Sequence, residues 1–182
     1  HVFLIGKGAE EFAVTHNIDT VPQSYFYNEY RYQEHLEGLL EDKTKFGTVG
    51  AVAIDRNGNI AAGTSTGGMN NKRFGRVGDV PVIGAGTYAE NGIGGLSATG
   101  HGEYFIRNVA TYDIVAQVKY GNETLDKAGY NTLMKKLKSQ GGDGGVIGLD
   151  SQGGVVIHFN TEAMPRGYIN SKGETVVLID VD

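Results

Sequence analysis

Glycine is the residue that most constrains this chain. There are 29 glycines in 182 residues, about 16%, where an ordinary chain carries roughly 7%. They are unevenly placed. Fifteen lie between Gly47 and Gly102 and seven between Gly141 and Gly154, while the stretch from Glu10 to Phe46 holds only Gly38. Glycine weakens helix and strand interiors and is used where backbone turns sharply or something approaches it closely. A glycine-poor leader therefore precedes a glycine-rich body, and the boundary falls near Phe46-Gly47-Thr48.

Composition excludes several function classes. Hydrophobic residues make up 40% and charged residues 20%, enough to build a core and too ordered a composition for a disordered tail. The size is that of one domain. Lys plus Arg number 16 against 21 Asp plus Glu, a formal net charge of -5, which argues against a surface that tracks phosphates, and so against nucleic acid as a partner. There is no Cys, hence no disulfide, thiolate metal site or cysteine nucleophile. No apolar run approaches the roughly 18 residues of a membrane helix. The start, His1-Val2-Phe3-Leu4-Ile5-Gly6, has no initiator Met and no signal-peptide pattern. The expectation is the remainder of something longer.

The leader reads as a short helix over about Ala9 to His16, a turn at Val21-Pro22 and a charged helical stretch from about Ser24 to Lys43. Glu41 to Lys45 is polar enough for a solvated linker. In the body, Thr48 to Asp55 and Ile60 to Thr66 flank Arg56-Asn57-Gly58-Asn59, a strong hairpin signal. Val146 to Asp150 and Val155 to Phe159 repeat it around Ser151-Gln152-Gly153-Gly154. Between the hairpins, apolar spacing predicts two helices, over about Gly102 to Tyr120 and Glu123 to Lys138. This order suggests an α+β fold with helices segregated onto the faces of largely antiparallel sheets.

Hydroxyls crowd one corner of the first hairpin. Thr48 opens one strand and Thr64-Ser65-Thr66-Gly67-Gly68 closes the other, so antiparallel pairing brings Thr48 beside Thr66. Threonine also simply favours strands. In Arg76-Val77-Gly78-Asp79 a guanidinium and a carboxylate stand three residues apart in a glycine-flanked loop. They form either a local surface ion pair of little consequence or a reader for a zwitterion, Arg76 taking a carboxylate and Asp79 an ammonium. Ser97-Ala98-Thr99-Gly100-His101-Gly102-Glu103 leads into a helix, where backbone N–H groups favour negative charge. His101 is either a general base or a solvent-facing helix-start histidine.

Taken in order, Gly47-Thr48-Val49-Gly50-Ala51-Val52-Ala53, Thr64-Ser65-Thr66-Gly67-Gly68-Met69, Gly75-Arg76-Val77-Gly78-Asp79 and Thr99-Gly100-His101-Gly102-Glu103 resemble the plant-type asparaginases, or isoaspartyl peptidases, which are N-terminal-nucleophile hydrolases. The resemblance covers nearly the whole chain, including Gly6-Lys7-Gly8-Ala9-Glu10. It implies an αββα sandwich, incomplete at its N-terminus. Residues 1–47 would be the C-terminal remainder of the larger (alpha) subunit with its linker, and residues 48–182 the smaller (beta) subunit. The precursor would cut itself at Gly47–Thr48. Thr48 would be the nucleophile and Thr66 its hydrogen-bonding partner. Arg76 and Asp79 would hold the α-carboxylate and α-ammonium, Thr99 and Gly100 the oxyanion, and Gly102 would complete the substrate loop. The substrates implied are asparagine and beta-aspartyl dipeptides, with neither metal nor other cofactor. The implied assembly is a cytoplasmic dimer of alpha-beta units that includes the rest of the alpha subunit. Glycosylasparaginases are relatives, but carry Thr-Thr-Ser where this chain has Thr-Ser-Thr. The family precursor has a much longer segment before the cut, so a fragment or incomplete chain is expected; a non-catalytic glycine-rich binding domain or an inactive truncated paralogue, and next a glycosylasparaginase, stand as alternatives.

The implied chemistry suits the residues. A threonine hydroxyl is a weak nucleophile until a base takes its proton. Cutting before Thr48 would free an α-amine with a pKa near 8, a base carried by the nucleophile's own residue, so none of the 5 His is required for a triad.

Overall fold

The computed structural model describes residues 1–41 and 47–179. The chain divides into two compact units, residues 1–44 and 45–182. Apart from Glu41, the stretch expected as a linker lies outside the described residues.

The first unit is helical, with α1 over Gly6–Thr15 and α2 over Glu29–Glu41. The single helix expected from Ser24 is interrupted. Gln23–Phe26 forms one short 3-10 turn, and Asn28 then starts α2 afresh, its Oδ1 accepting the N–H of Arg31 at 3.1 Å. A capping side chain is strongest where backbone leaves the helical conformation, so it sets the boundary that spacing alone did not show.

In the second unit β1 (Thr48–Ile54) and β2 (Ile60–Thr66) form the expected hairpin, in register from Thr48 opposite Thr66 to Ile54 opposite Ile60. Asp55 organises its turn: Oδ1 accepts the N–H groups of Asn57 and Asn59, both at 2.8 Å, and Gly58 takes φ +80°. A four-stranded antiparallel sheet follows in the order β3 (Thr87–Glu90), β4 (Gly94–Gly100), β5 (Gly144–Asp150), β6 (Val155–Phe159). A second hairpin pairs β7 (Arg166–Ile169) with β8 (Thr175–Leu178).

Strand β4 shows how the layers form. An added Cβ on Gly94 would meet Leu125 from the helices, while one on Gly95 would meet Ile60 and Val52 from the first hairpin. Alternation along a strand then sends Leu96 and Ala98 into the helix-side core and Ser97 and Thr99 toward the hairpin. The core contains Leu96, Phe105, Ile114, Val115, Leu133, Leu137, Val146 and Val156, all buried, and each such side chain contributes on the order of 1.5–3 kcal/mol by leaving water. This unit is a helix layer, a four-stranded sheet and a two-stranded sheet in succession. The α+β class and the antiparallel sheets are as expected.

Three expectations for this unit need correction. The β3–β4 hairpin lies where only helices were expected, and Thr99 and Gly100 end a strand instead of sitting in a helix-entrance loop. The helix expected over Gly102 to Tyr120 is two helices, α3 (Gly102–Asn108) and α4 (Ala110–Gly121), broken at Val109 with φ 47°. A valine in the left-handed region is strained. The compensation is tertiary: the free N–H groups at the start of α4 find carbonyls outside the helix, Tyr112 donating to Gly84 at 2.8 Å and Thr111 to Ala85 at 3.3 Å. The last helix begins at α5 (Leu125–Tyr130), where the Thr124 hydroxyl accepts the Lys127 N–H, and runs on as a π-helical segment over Asn131–Leu137.

Candidate active site

The open ends of the first hairpin and of β4 meet at one corner. Thr48, at the start of β1, pairs with Thr66, at the end of β2. The Thr48 hydroxyl donates to Thr66 Oγ1 at 3.2 Å, the N–H of Gly68 donates to the same oxygen at 3.0 Å, and the Thr66 hydroxyl donates to the carbonyl of Gly47 at 2.7 Å. One hydroxyl supplies one donor and two acceptor sites, and all three are used. Gly68, with φ +80°, makes the turn that aims its N–H back at Thr66. The Gly47–Thr48 peptide thus has its carbonyl oxygen hydrogen-bonded by the same hydroxyl that accepts the Thr48 hydroxyl's hydrogen bond.

Behind this corner the two sheets are joined by hydroxyls. Thr64 Oγ1 and Ser97 Oγ are 2.6 Å apart, and the Thr87 hydroxyl donates to Thr64. A Cβ on Gly50 would collide with Ser97, so this bare position lets β1 close onto β4. That contact sets Thr48 relative to Thr99 and Gly100.

Gly47, Thr48, Thr66, Gly68, Arg76, Asp79 and Gly100 share one narrow cleft. Asp79 is buried, and its Oδ2 has no hydrogen-bond partner among the described residues. Burial raises its pKa above the usual carboxylate range, against the backbone N–H groups of Asp79 and Val80 and the nearby charge of Arg76. A buried carboxylate with a free lone pair is costly unless a cation meets it. Arg76 does not spend itself on Asp79. Its Nε and Nη2 donate to the two carboxylate oxygens of Glu103 at 2.7 and 3.0 Å. This bidentate bond is the main reason that the Glu103 carboxyl is held down at about 2.

Gly102 lies against both groups: an added Cβ would stand 2.5 Å from Asp79 Oδ1 and 3.2 Å from Arg76 Nη2. Gly100 takes φ +140°, and a Cβ there would collide with the Asp143 carbonyl and Gly144 of the neighbouring strand. Thr99, Gly100 and His101 also line a larger cavity of about 740 Å³ that Thr48 lines as well. His101 is half-buried, with Nε2 3.5 Å from Glu103 Oε2 and its ring edge-on to Tyr104.

All the residues singled out in the sequence therefore converge on one corner, except that the local Arg76–Asp79 ion pair is replaced by Arg76–Glu103. Sequence reasoning gave Glu103 no role. Its only signal was an acid closing the Thr99-Gly100-His101-Gly102-Glu103 motif in the first turn of a helix, where acids are common for the helix dipole alone. The hydroxyl link through Thr64, Thr87 and Ser97 was also missed, because it requires the unforeseen β3–β4 hairpin.

Residues 1–179 match the model of a protein family described as asparaginase. The chain is 44% identical over 200 residues to an isoaspartyl peptidase of Escherichia coli (strain K12), covering 97% of this chain and 62% of that protein. It is 43% identical over 209 residues to a putative isoaspartyl peptidase/L-asparaginase of Dictyostelium discoideum, covering 93% of this chain and 60% of that one. To an isoaspartyl peptidase/L-asparaginase of Rattus norvegicus it is 40% identical over 173 residues, covering 91% and 51%. The chain thus spans about half to three fifths of the length of these relatives. With nearly every residue inside the family match and this corner built on the four motifs that carried the resemblance, the chain belongs to the asparaginase family.

Proposed function

We propose that this chain is the portion of a threonine hydrolase that holds its nucleophile, and that the enzyme splits the side-chain amide of asparagine or the isopeptide bond of beta-aspartyl dipeptides. The observation that carries the reading is the Thr66 hydroxyl, bonded at once to Thr48 Oγ1 and to the carbonyl of Gly47. The relatives' names, isoaspartyl peptidase and L-asparaginase, support it.

Maturation uses that network first. Thr48 Oγ attacks the carbonyl carbon of Gly47, whose oxygen is polarised by the Thr66 donor. A C–O bond forms, the Gly47–Thr48 C–N bond breaks, and the hydroxyl proton ends on the Thr48 nitrogen. Water then hydrolyses the ester, leaving a carboxyl on Gly47 and a free α-amine on Thr48. The same hydroxyl is now a nucleophile with its own base. On substrate, the amine takes the Thr48 proton, Oγ attacks the side-chain amide carbon, and the developing oxyanion is received at Thr99 and Gly100. Losing one preorganised donor of this kind costs about 2.7–4 kcal/mol. The proton passes to the leaving amine and water releases aspartate. Asp79, with its free buried oxygen, takes the α-ammonium and Arg76 the α-carboxylate, which leaves the side-chain amide as the bond presented to Thr48.

In this reading residues 1–47 belong to the larger subunit and residues 48–182 are the smaller one, acting with the rest of the larger subunit in a cytoplasmic dimer of two-chain units. Among the described residues no helix is long and apolar enough to cross a membrane. Mass analysis of the purified protein tests the reading. Two chains divided at Gly47–Thr48, together with ammonia release from L-asparagine, are expected. One intact chain after prolonged incubation, with no hydrolysis of L-asparagine or beta-aspartyl dipeptides, would sink it. Thr48→Ala should block the cut and Thr48→Ser should allow some.

A further inference from the structure

We propose that Glu103 is the positioning residue that makes Arg76 a carboxylate reader, by occupying one edge of the guanidinium and keeping Arg76 from closing onto Asp79. This rests on the reading above, in which Arg76 and Asp79 take the two charges of an amino acid.

A guanidinium offers its donors along two edges suited to a carboxylate, one formed by Nε and an Nη and the other by the two Nη atoms. Glu103 takes the first through Nε and Nη2. The edge formed by Nη1 and the second Nη2 hydrogen donates to no protein acceptor among the described residues. Glycines lie against it: a Cβ on Gly78 would lie 3.2 Å from Nη1, and one on Gly102 3.2 Å from Nη2 and 2.5 Å from Asp79 Oδ1, so a side chain at either position would crowd the guanidinium and the carboxylate beside it.

An arginine and an aspartate three residues apart would otherwise neutralise each other, and both readers would be lost to a zwitterion. In this structure no hydrogen bond or ion pair joins Arg76 to Asp79 among the described residues, and Asp79 Oδ2 stays unpartnered. Glu103 competes successfully for two reasons. It comes from a different element, the first turn of α3. Its bond to Arg76 is bidentate. The Arg76 side chain is only 17% exposed, so little water is available to replace a lost partner.

Two measurements test this. The first is the ratio of kcat/KM for L-asparagine to that for L-asparaginamide, which keeps the ammonium and the side-chain amide but has no α-carboxylate. In Glu103→Ala, L-asparagine should lose on the order of 30-fold, mostly through KM, as for truncating one partner of an engaged charge pair. L-asparaginamide should lose several-fold less, so the ratio collapses. Glu103→Gln, which keeps an acceptor for Nε–H, should recover part of the ratio, and Glu103→Asp, one carbon short, should not. Equal losses on both substrates would show a merely structural residue and overturn the proposal.

The second measurement needs no catalysis. L-Aspartate, the product, is not turned over, and its binding to the wild-type protein, followed by calorimetry, should weaken at least tenfold in Glu103→Ala. Unchanged affinity, or no binding to the wild-type protein, would overturn the proposal. A wild-type protein that hydrolyses neither L-asparagine nor beta-aspartyl dipeptides counts against the hydrolase reading alone, and the aspartate titration still decides the role of Glu103.

Discussion

Oδ1 of Asp79 would stand 2.5 Å from a Cβ placed on Gly102, so the bare position at the head of α3 is what allows a buried carboxylate to sit there. Gly102→Ala should therefore push Asp79 out of place. Overpacking of this kind costs about 1–3 kcal/mol. Because Asp79 is assigned to the substrate ammonium, the loss should fall on binding, raising KM for L-asparagine about tenfold or more. Steady-state kinetics checks this, and an unchanged KM would show that Asp79 has no part in holding substrate.

Thr66 is bonded on both sides of the proposed scissile peptide, which separates its role from ordinary strand packing. Thr66→Val keeps the branched shape and removes the donor to the Gly47 carbonyl. By analogy with the loss of one oxyanion donor, cutting at Gly47–Thr48 should slow about 10²–10³-fold. A time course of chain separation on a denaturing gel measures it. Cutting at the wild-type rate would leave the Gly47 carbonyl without need of Thr66.

How far the sequence carried these conclusions depended on where the cause lay. The β1–β2 hairpin was legible because Asn57-Gly58 and the apolar runs beside it act locally. The same signal, Asn91-Gly92, stands between β3 and β4 and went unread, because Gly94-Gly95-Leu96-Ser97-Ala98-Thr99-Gly100 has few strand-forming residues. Gly94 and Gly95 are there for packing, against Leu125 on one face and Ile60 and Val52 on the other, which no local rule reveals. The break at Val109 was equally hidden: neither Gly nor Pro marks it, and the carbonyls that compensate it belong to Gly84 and Ala85. Within the site, the Thr48–Thr66 approach followed from strand register. The Glu103 pairing did not, since it joins residues 27 apart on elements whose docking depends on β4.

The two carboxyls beside Arg76 should shift stability with pH in opposite directions. Glu103 is lowered from 4.5 to about 2 by its bond to Arg76. Its stabilisation is therefore fully present above about 4.5 and lost as pH falls toward about 2. Its side chain is 41% exposed, so solvent screening leaves a contribution of roughly 1 kcal/mol or less. Asp79 is raised by burial. Its ionisation costs stability, beginning as pH rises through the ordinary Asp range and complete above its own raised pKa. Asp79→Asn should then raise Tm at neutral pH, by the equivalent of about 1 kcal/mol, while abolishing activity, the usual opposition between stability and a strained site. Thermal melts at pH 3, pH 4.5 and pH 7 measure both signs. A lower Tm for Asp79→Asn at pH 7 would mean that the carboxylate is satisfied in the free protein.

The pH dependence of activity tests the proposed base. Only the neutral α-amine of a cut Thr48 can accept the nucleophile's proton, so kcat should rise with pH through one ionisation. Burial would lower that pKa, since it disfavours the ammonium form. Arg76 would add little, because Glu103 offsets its charge. The acidic limb should therefore lie at or below about 8, the reference value for an α-amine. A second effect belongs to binding. Protonating Asp79 would remove the proposed partner of the substrate ammonium, so KM should climb as pH falls through the raised Asp79 pKa, separately from the limb in kcat. The rival base is His101, which lies between Gly100 and Gly102 and within 3.5 Å of Glu103. His101→Ala should lower kcat modestly and uniformly while keeping the acidic limb. If that variant is still cut at Gly47–Thr48 but its kcat profile has lost the limb, the imidazole is the base, and the amine of Thr48 is reduced to a product of maturation.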